Sequence, residues 1–321
     1  MILNNLLRES YHIDLMKLNF TAMLFNTKGI DSLIKLLDDP DPSIYKQIKA
    51  ELISKGLGII PYLESHQLLP QSSGTFNIRV EKLIDELRFG SIYDALQEWS
   101  VSEDKNLLSA FVILSRIQYP EDNETFLLDE INRIKQKIWL ELNPRMTSFE
   151  QIKVFNRVFF EIMGFKHCEE NYGKMNSIYL RDILESRTGT SLGLSILYST
   201  IAQFLHIPVY CLLLPNLTIL AYLDNLNLPF RRFIKNKYGV LFYFNPVKEG
   251  SFHDHKAIED FLQKTETAFD RSFFEPCSNT KIVQSLIDEI ILNTTNIQKI
   301  KLLRLLKESL NQSSNNSIAN R

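Results

Sequence analysis

The hydrophobic period of this chain changes just after Pro208, and that change limits the folds open to it. From Phe76 to Leu205, apolar residues recur at three- and four-residue intervals, the spacing of helices buried on one side. Beyond Pro208 the pattern becomes short apolar runs: IPVYCLLL at 207–214, LTILAYL at 217–223 and GVLFYF at 239–244. Pro208, Pro215 and Gly239 interrupt these runs, as strand boundaries do, and 230–234 reads as a further strand. Helices first and strands afterwards predict an α+β core.

The helical patterns divide at local breakers. Ile30, Leu33, Ile34, Leu36 and Leu37 fall at the spacing of a first helix, which Asp38-Asp39-Pro40 ends because the residue before proline avoids helical geometry. Asp41 and Pro42 suit the cap and first position of a second helix carrying Ile44, Ile48, Leu52 and Ile53. Two helices within 29–65, joined by a DPDP turn, resemble one HEAT-type unit, which cannot bury its own apolar face. It is therefore expected to pack on the helices of 76–142. PQSSGT at 70–75 reads as a linker. Helices are then predicted at 76–89, 91–100, 103–116, 123–142 and 148–163, with another at 280–310. The polar tail from 311 to 321 reads as disordered.

Composition removes several functions. The 321 residues carry 36 Lys and Arg against 38 Asp and Glu, so the basic excess of a nucleic-acid binder is missing. The first twenty residues are amphipathic, with charges breaking each apolar run, and do not read as a signal peptide. Nor does any run approach the roughly 18 apolar residues of a membrane span. Three widely spaced cysteines, Cys168, Cys211 and Cys277, suit neither a thiolate zinc site nor a disulfide framework. The expectation is a cytoplasmic protein without cofactor, metal, membrane or nucleic-acid partner.

The residues richest in chemistry lie at 176–208, NSIYLRDILESRTGTSLGLSILYSTIAQFLHIP. A short helix ends near Gly189, a second runs from Ser191 to Leu205, and His206-Ile207-Pro208 feeds the first strand. This order resembles the transglutaminase-like superfamily, in which a cysteine opens such a helix. Further stretches, YPEDNETFLLDEIN at 119–132, FNRVFFEIMGF at 155–165 and NYGKMNSIYLRDILESRTG at 171–189, resemble its bacterial SirB-type subfamily. The resemblance spans about 80–250. It implies a cysteine-protease-like core with a small antiparallel sheet, occupying 76–265 between a HEAT-like region at 1–70 and the C-terminal helix.

The layout has a chemical reason. A helix N-terminus lowers a thiol's pKa, a histidine on a neighbouring strand takes the proton, and a carboxylate orients it. On this template the nucleophile position reads Ser191, the histidine of a PGHF stretch falls on Leu217 in PNLT, and the aspartate of a DPF stretch falls on Asn245 in NPV. The SirB-type Ser or Thr two residues after the nucleophile position is Gly193. The resemblance thus implies a triad lost at every position and a protein that works by binding a protein partner. The opposing reading is a hydrolase or acyl-transferase using Ser191 or Cys168 with a base not recognisable from sequence. His206 is read as a helix-end residue whose ring hydrogen-bonds the last carbonyls. His253-Asp254-His255 is read as an exposed polar loop, and Cys211 as a buried, inert strand residue. Tyr238, Phe242, Tyr243, Phe244 and Phe252 are read as strand core, a groove being the alternative.

Overall fold

A computed structural model describes residues 27–69, 73–121, 124–168, 177–223 and 238–319. The strand expected at 230–234, the first 26 residues and residues 70–72 of the expected linker lie outside them. The chain divides into two compact units, 1–94 and 95–321.

The first unit is helical. Helix α1 (Thr27–Lys35) passes through a 3-10 turn, Leu36–Asp38, that stops before Pro40. Helix α2 (Pro42–Ser54) is capped by Asp41, whose carboxylate accepts the Ser43 N–H at 2.8 Å, and has Pro42 at its first position. Gly56, at φ +70°, opens a turn after α2 into a third helix, α3 (Ile60–Gln67), where two helices were expected within 29–65. Ile30, Ile34, Leu37, Leu52 and Leu63 form one core with Phe76, Val80, Leu83 and Leu87 of helix α4 (Gly74–Val101). The Arg79 guanidinium donates to the Leu37 and Asp39 carbonyls at 2.7 and 2.8 Å, holding α4 against the end of α1. The two helices expected at 76–89 and 91–100 are this single helix. Gly90 lies within it, since one glycine weakens a helix by about 1 kcal/mol without ending it.

In the second unit, α5 (Leu107–Ser115), α6 (Glu124–Glu141) and α7 (Ser148–Asn156) precede the sheet. Thr147 and Glu150 form a reciprocal capping box at the start of α7. The helix expected to reach Met163 changes at Arg157–Ile162 to a π-helical turn. Two short strands, β1 (Lys166–His167) and β2 (Thr188–Gly189), pair in parallel around α8 (Leu180–Ser186). At two residues each they carry no alternation that a sequence reading could detect.

Helix α9 (Ser191–Phe204) then leads into β3 (Val209–Leu214), β4 (Leu217–Leu223), β5 (Val240–Asn245) and β6 (Ser251–His253). These four form one antiparallel sheet in that order. Pro215 and Asn216 make the β3–β4 turn, with Asn216 at φ +55°, a conformation asparagine tolerates well. One face of the sheet meets α9, where the Tyr198 and Phe244 rings lie 5.3 Å apart. On the other face Leu212, Leu214, Ile219, Ala221 and Tyr243 pack with Ile258 and Leu262 of α10 (His255–Lys264) and with Phe274. Burial on both faces explains why β3 and β4 read as continuous apolar runs.

The single helix expected at 280–310 is two, α11 (Asn279–Leu292) and α12 (Ile297–Ala319), broken at Asn293–Asn296. Helix α12 also continues through residues expected to be unstructured, since each added residue of a nucleated helix needs only one further backbone bond. No helix among the described residues is long and apolar enough to cross a membrane.

Candidate functional site

The start of α9 is built by three local devices. Helix α8 ends on Arg187 in left-handed geometry at φ +59°. Residues 188–189 then pair with 166–167, His167 standing opposite Gly189, and the Cys168 N–H donates to the Gly189 carbonyl at 2.9 Å. Thr190 caps α9: its hydroxyl oxygen accepts the Gly193 N–H at 3.1 Å, while its own N–H donates to the Ser177 carbonyl at 3.1 Å. Thr190→Ala should therefore cost about 1–2 kcal/mol in denaturant unfolding, and Thr190→Ser only a few tenths. Equal losses in both variants would show that the threonine methyl, not the cap, matters.

Ser191 occupies the first helical position and is half-buried. Among the described residues its hydroxyl oxygen has one hydrogen-bond partner, the Thr218 N–H at 3.4 Å. Ser195, one turn on, donates to the Ser191 carbonyl at 2.7 Å and lies 3.5 Å from the Thr218 carbonyl. Thr218 pairs with Leu213 in β3, but the β4–β5 pairing begins only at Leu220. The serine hydroxyls thus meet backbone groups of β4 that β5 does not reach.

Leu217 is not where the template places it. It pairs with Leu214 and packs in the cluster of Leu212, Ile219 and Tyr243, on the sheet face away from α9. Side chains alternate along a strand, so it is Thr218 that belongs to the face bearing α9. The placement is one residue off, which removes Leu217 from the triad comparison and puts Thr218, a poor proton acceptor near neutrality, on the α9 face. Asn245 ends β5, one strand from Leu217. It is buried, and its Oδ1 accepts the Val247 N–H at 2.9 Å, capping the turn Pro246–Lys248. A Cβ at Gly193 would lie 2.6 Å from Ile183 Cδ1, so the hydroxyl residue of the SirB-type pattern would require the end of the Ile183 side chain to shift.

The remaining candidates are spread out. Cys211 is buried, its sulfur 3.3 Å from the Ser199 hydroxyl, and burial pushes its thiol up to about 12. Cys168 is also buried, beside the start of α9. His206 is exposed at φ +59°, and its backbone N–H, not its ring, bonds the Gln203 carbonyl; the left-handed turn at the helix end carries the ring outward. The stretch 253–255 is not a loop. His253 ends β6 with Nε2 3.1 Å from the Ser251 hydroxyl, Asp254 caps α10 through the Ala257 N–H, and His255 stacks 4.2 Å from Phe274. An aspartate followed three residues later by an amide it can accept is a helix start. Among the described residues no group of three or more His, Cys, Asp or Glu could hold a metal ion. The aromatic residues separate as well. Phe244 meets α9 and Tyr243 the far face, whereas Phe242 and Phe252 join Phe149 around an open hollow of about 440 Å³.

Residues 126–288 match the model of the transglutaminase-like superfamily. The SirB1 proteins of Salmonella typhimurium and Salmonella typhi are each 20% identical to this chain over 200 residues, covering 61% of it and 68% of their own length. No solved structure matches.

Proposed function

The chain belongs to the transglutaminase-like superfamily, and from that premise we propose that it is a non-catalytic member acting as an interaction or scaffold module for a protein partner. The observation that carries this reading is the partner of Ser191. At the position where the fold would hold an activated nucleophile, an unactivated hydroxyl accepts a backbone amide of β4. A hydroxyl without an imidazole keeps the nucleophilicity of an ordinary alcohol, and losing a general base alone costs roughly 10²- to 10⁴-fold in rate. The partner would engage the framework around the start of α9, or the HEAT-like helices of the first unit.

One observation favours a second reading. Strand β1 sets His167 and Cys168 beside Gly189, two residues before the helix start. A thiol there would have an imidazole as its chain neighbour, although Cys168 is only 5% exposed.

Assays of purified protein separate the two. The non-catalytic reading expects no deamidase, transglutaminase or peptidase turnover above buffer, Ser191→Ala indistinguishable from wild type, and slow iodoacetamide labelling at Cys168. It also expects a purified partner to form a stoichiometric complex that Ser191→Ala leaves intact. Turnover abolished by Ser191→Ala, or by Cys168→Ser together with fast labelling of that thiol, would return the protein to the enzymes.

A further inference from the structure

At the other end of α9, roughly 18 Å along the helix axis from Ser191 by its rise of 1.5 Å per residue, the second unit holds a polar pocket of about 190 Å³. It is lined by Asp104, Asn106, Leu107, Thr200, Gln203, Phe204 and Asn279. We infer that this pocket binds a small primary ammonium group, held by the Asp104 carboxylate, the Thr200 hydroxyl and the amide oxygens of Gln203 and Asn279.

Thr200 is the first ground. It is 4% exposed, and among the described residues its hydroxyl has no hydrogen-bond partner. A buried hydroxyl left unpaired costs about 1–3 kcal/mol, and a threonine on a helix has two accessible χ1 wells through which its oxygen can reach a new partner. The second ground is the orientation of the amides. Gln203 Nε2 donates to the Val209 carbonyl at 2.9 Å, and Asn279 Nδ2 donates to the Lys105 carbonyl at 2.9 Å. Each side chain therefore keeps its oxygen as the uncommitted end, an acceptor. Asn106 uses its Oδ1 to cap α5, at 2.9 and 3.3 Å from the Leu108 and Ser109 N–H groups. Asn106 thereby leaves its Nδ2 as a donor, against which the lining sets two amide oxygens, the Thr200 hydroxyl and the carboxylate of Asp104, its one formally charged side chain.

Charge decides the sign of the pocket, because the helix ends that meet here oppose one another. Thr200, Gln203 and Phe204 belong to the last turns of α9, the negative end of its dipole. The starts of α5 and α11 also lie here, but Asn106 and Ser278 already accept first-turn amides of those helices. An anion would meet Asp104 and few donors, whereas a primary ammonium brings three donors to a site short of them. One neighbouring positive charge is Lys135, whose ammonium stands 5.9 Å from the Phe204 ring centroid and which a ligand must tolerate.

The test uses the full chain and two cations of similar size, n-propylammonium, which donates hydrogen bonds, and tetramethylammonium, which cannot. Amide chemical shifts of residues 104–107, 200–204 and 279 are followed during titration. Propylammonium is expected to move them with a millimolar constant, near the ceiling for a ligand of so few atoms. Tetramethylammonium should bind at least about tenfold more weakly, the worth of a charge-assisted hydrogen bond. Thr200→Val should weaken propylammonium about fivefold or more, and Thr200→Ser should restore it. If Thr200→Val does not fold, Asp104→Asn, an exposed change, takes its place with the same expected loss. Equal binding of the two cations, no shifts up to about 50 mM, well above the expected constant, or full binding by a folded Thr200→Val would overturn the proposal. No shifts would mean that the pocket holds ordered water alone.

Discussion

Gly250→Ala is expected to destabilise the second unit by about 3–5 kcal/mol, a large part of the roughly 5–15 kcal/mol typical of a folded domain. Gly250 sits at φ +75°, where an added Cβ costs about 1–2 kcal/mol in backbone strain. That Cβ would also fall 2.3–2.5 Å from three side-chain atoms of Asn156. Asn156 cannot yield freely. Its Nδ2 donates to the Gly250 carbonyl at 3.0 Å, and its Oδ1 accepts the Tyr198 hydroxyl at 2.8 Å. Tyr198 is wholly buried among Phe155, Phe159 and Phe244, so displacing Asn156 strands its hydroxyl at a further cost of about 1–3 kcal/mol. One asparagine thus ties α7, α9 and the turn after β5 together. Denaturant unfolding in two backgrounds checks this. In Asn156→Ala the obstructing atoms are gone, and Gly250→Ala should cost only its backbone strain, about 1–2 kcal/mol. The same loss in both backgrounds would rule out the clash.

Alkaline pH should unfold the second unit from about pH 9 upward. Burial raises Cys211 from an unfolded value of 9.0 to about 12, raises Tyr179 from 10.0 to about 12, and holds Tyr198 well above 10.0. Each group keeps its proton when folded and gives it up more readily when unfolded. The stability it contributes is therefore complete below the unfolded value and is lost as pH climbs towards the folded one. Cys211 acts first, between about pH 9 and 12, and its share is on the order of a few kcal/mol. In Cys211→Ser the hydroxyl can still meet Ser199 and does not titrate in this range. Its stability at pH 7 should fall by about 1 kcal/mol, while the decline between pH 9 and 10 becomes shallower than in the wild type. Parallel declines in the two proteins would place the alkaline transition on other groups.

Part of the local framework around α9 was readable before any fold was known. Ser191 opens α9 as its stretch predicted, but the preceding helix stops at Arg187 and not near Gly189, which lies in β2, and the cap is Thr190. Asn245-Pro246 announced a strand end, a local signal. What sequence misplaced was orientation. Leu217 and Thr218 are adjacent, and which of them turns to α9 follows from β4's register with β3, where a shift of one residue exchanges the faces. Polar partners at long range were equally hidden. Nothing near Gly250 marks Asn156, 94 positions away, as its neighbour. Nor does the sequence around Thr200 show that Asp104 and Asn279 share its pocket.

The sequence by itself determined the switch from helices to strands near Pro208, the Asp41 cap and the start of α9 at Ser191, because each rests on contacts within a few residues or on hydrophobic period. The tertiary structure alone decided which face Leu217 takes, that residues 166–167 and 188–189 pair beside the start of α9, and that Tyr198, Asn156 and Gly250 form one buried polar link. These depend on strand register and on packing between distant segments, and neither leaves a periodic trace in the chain.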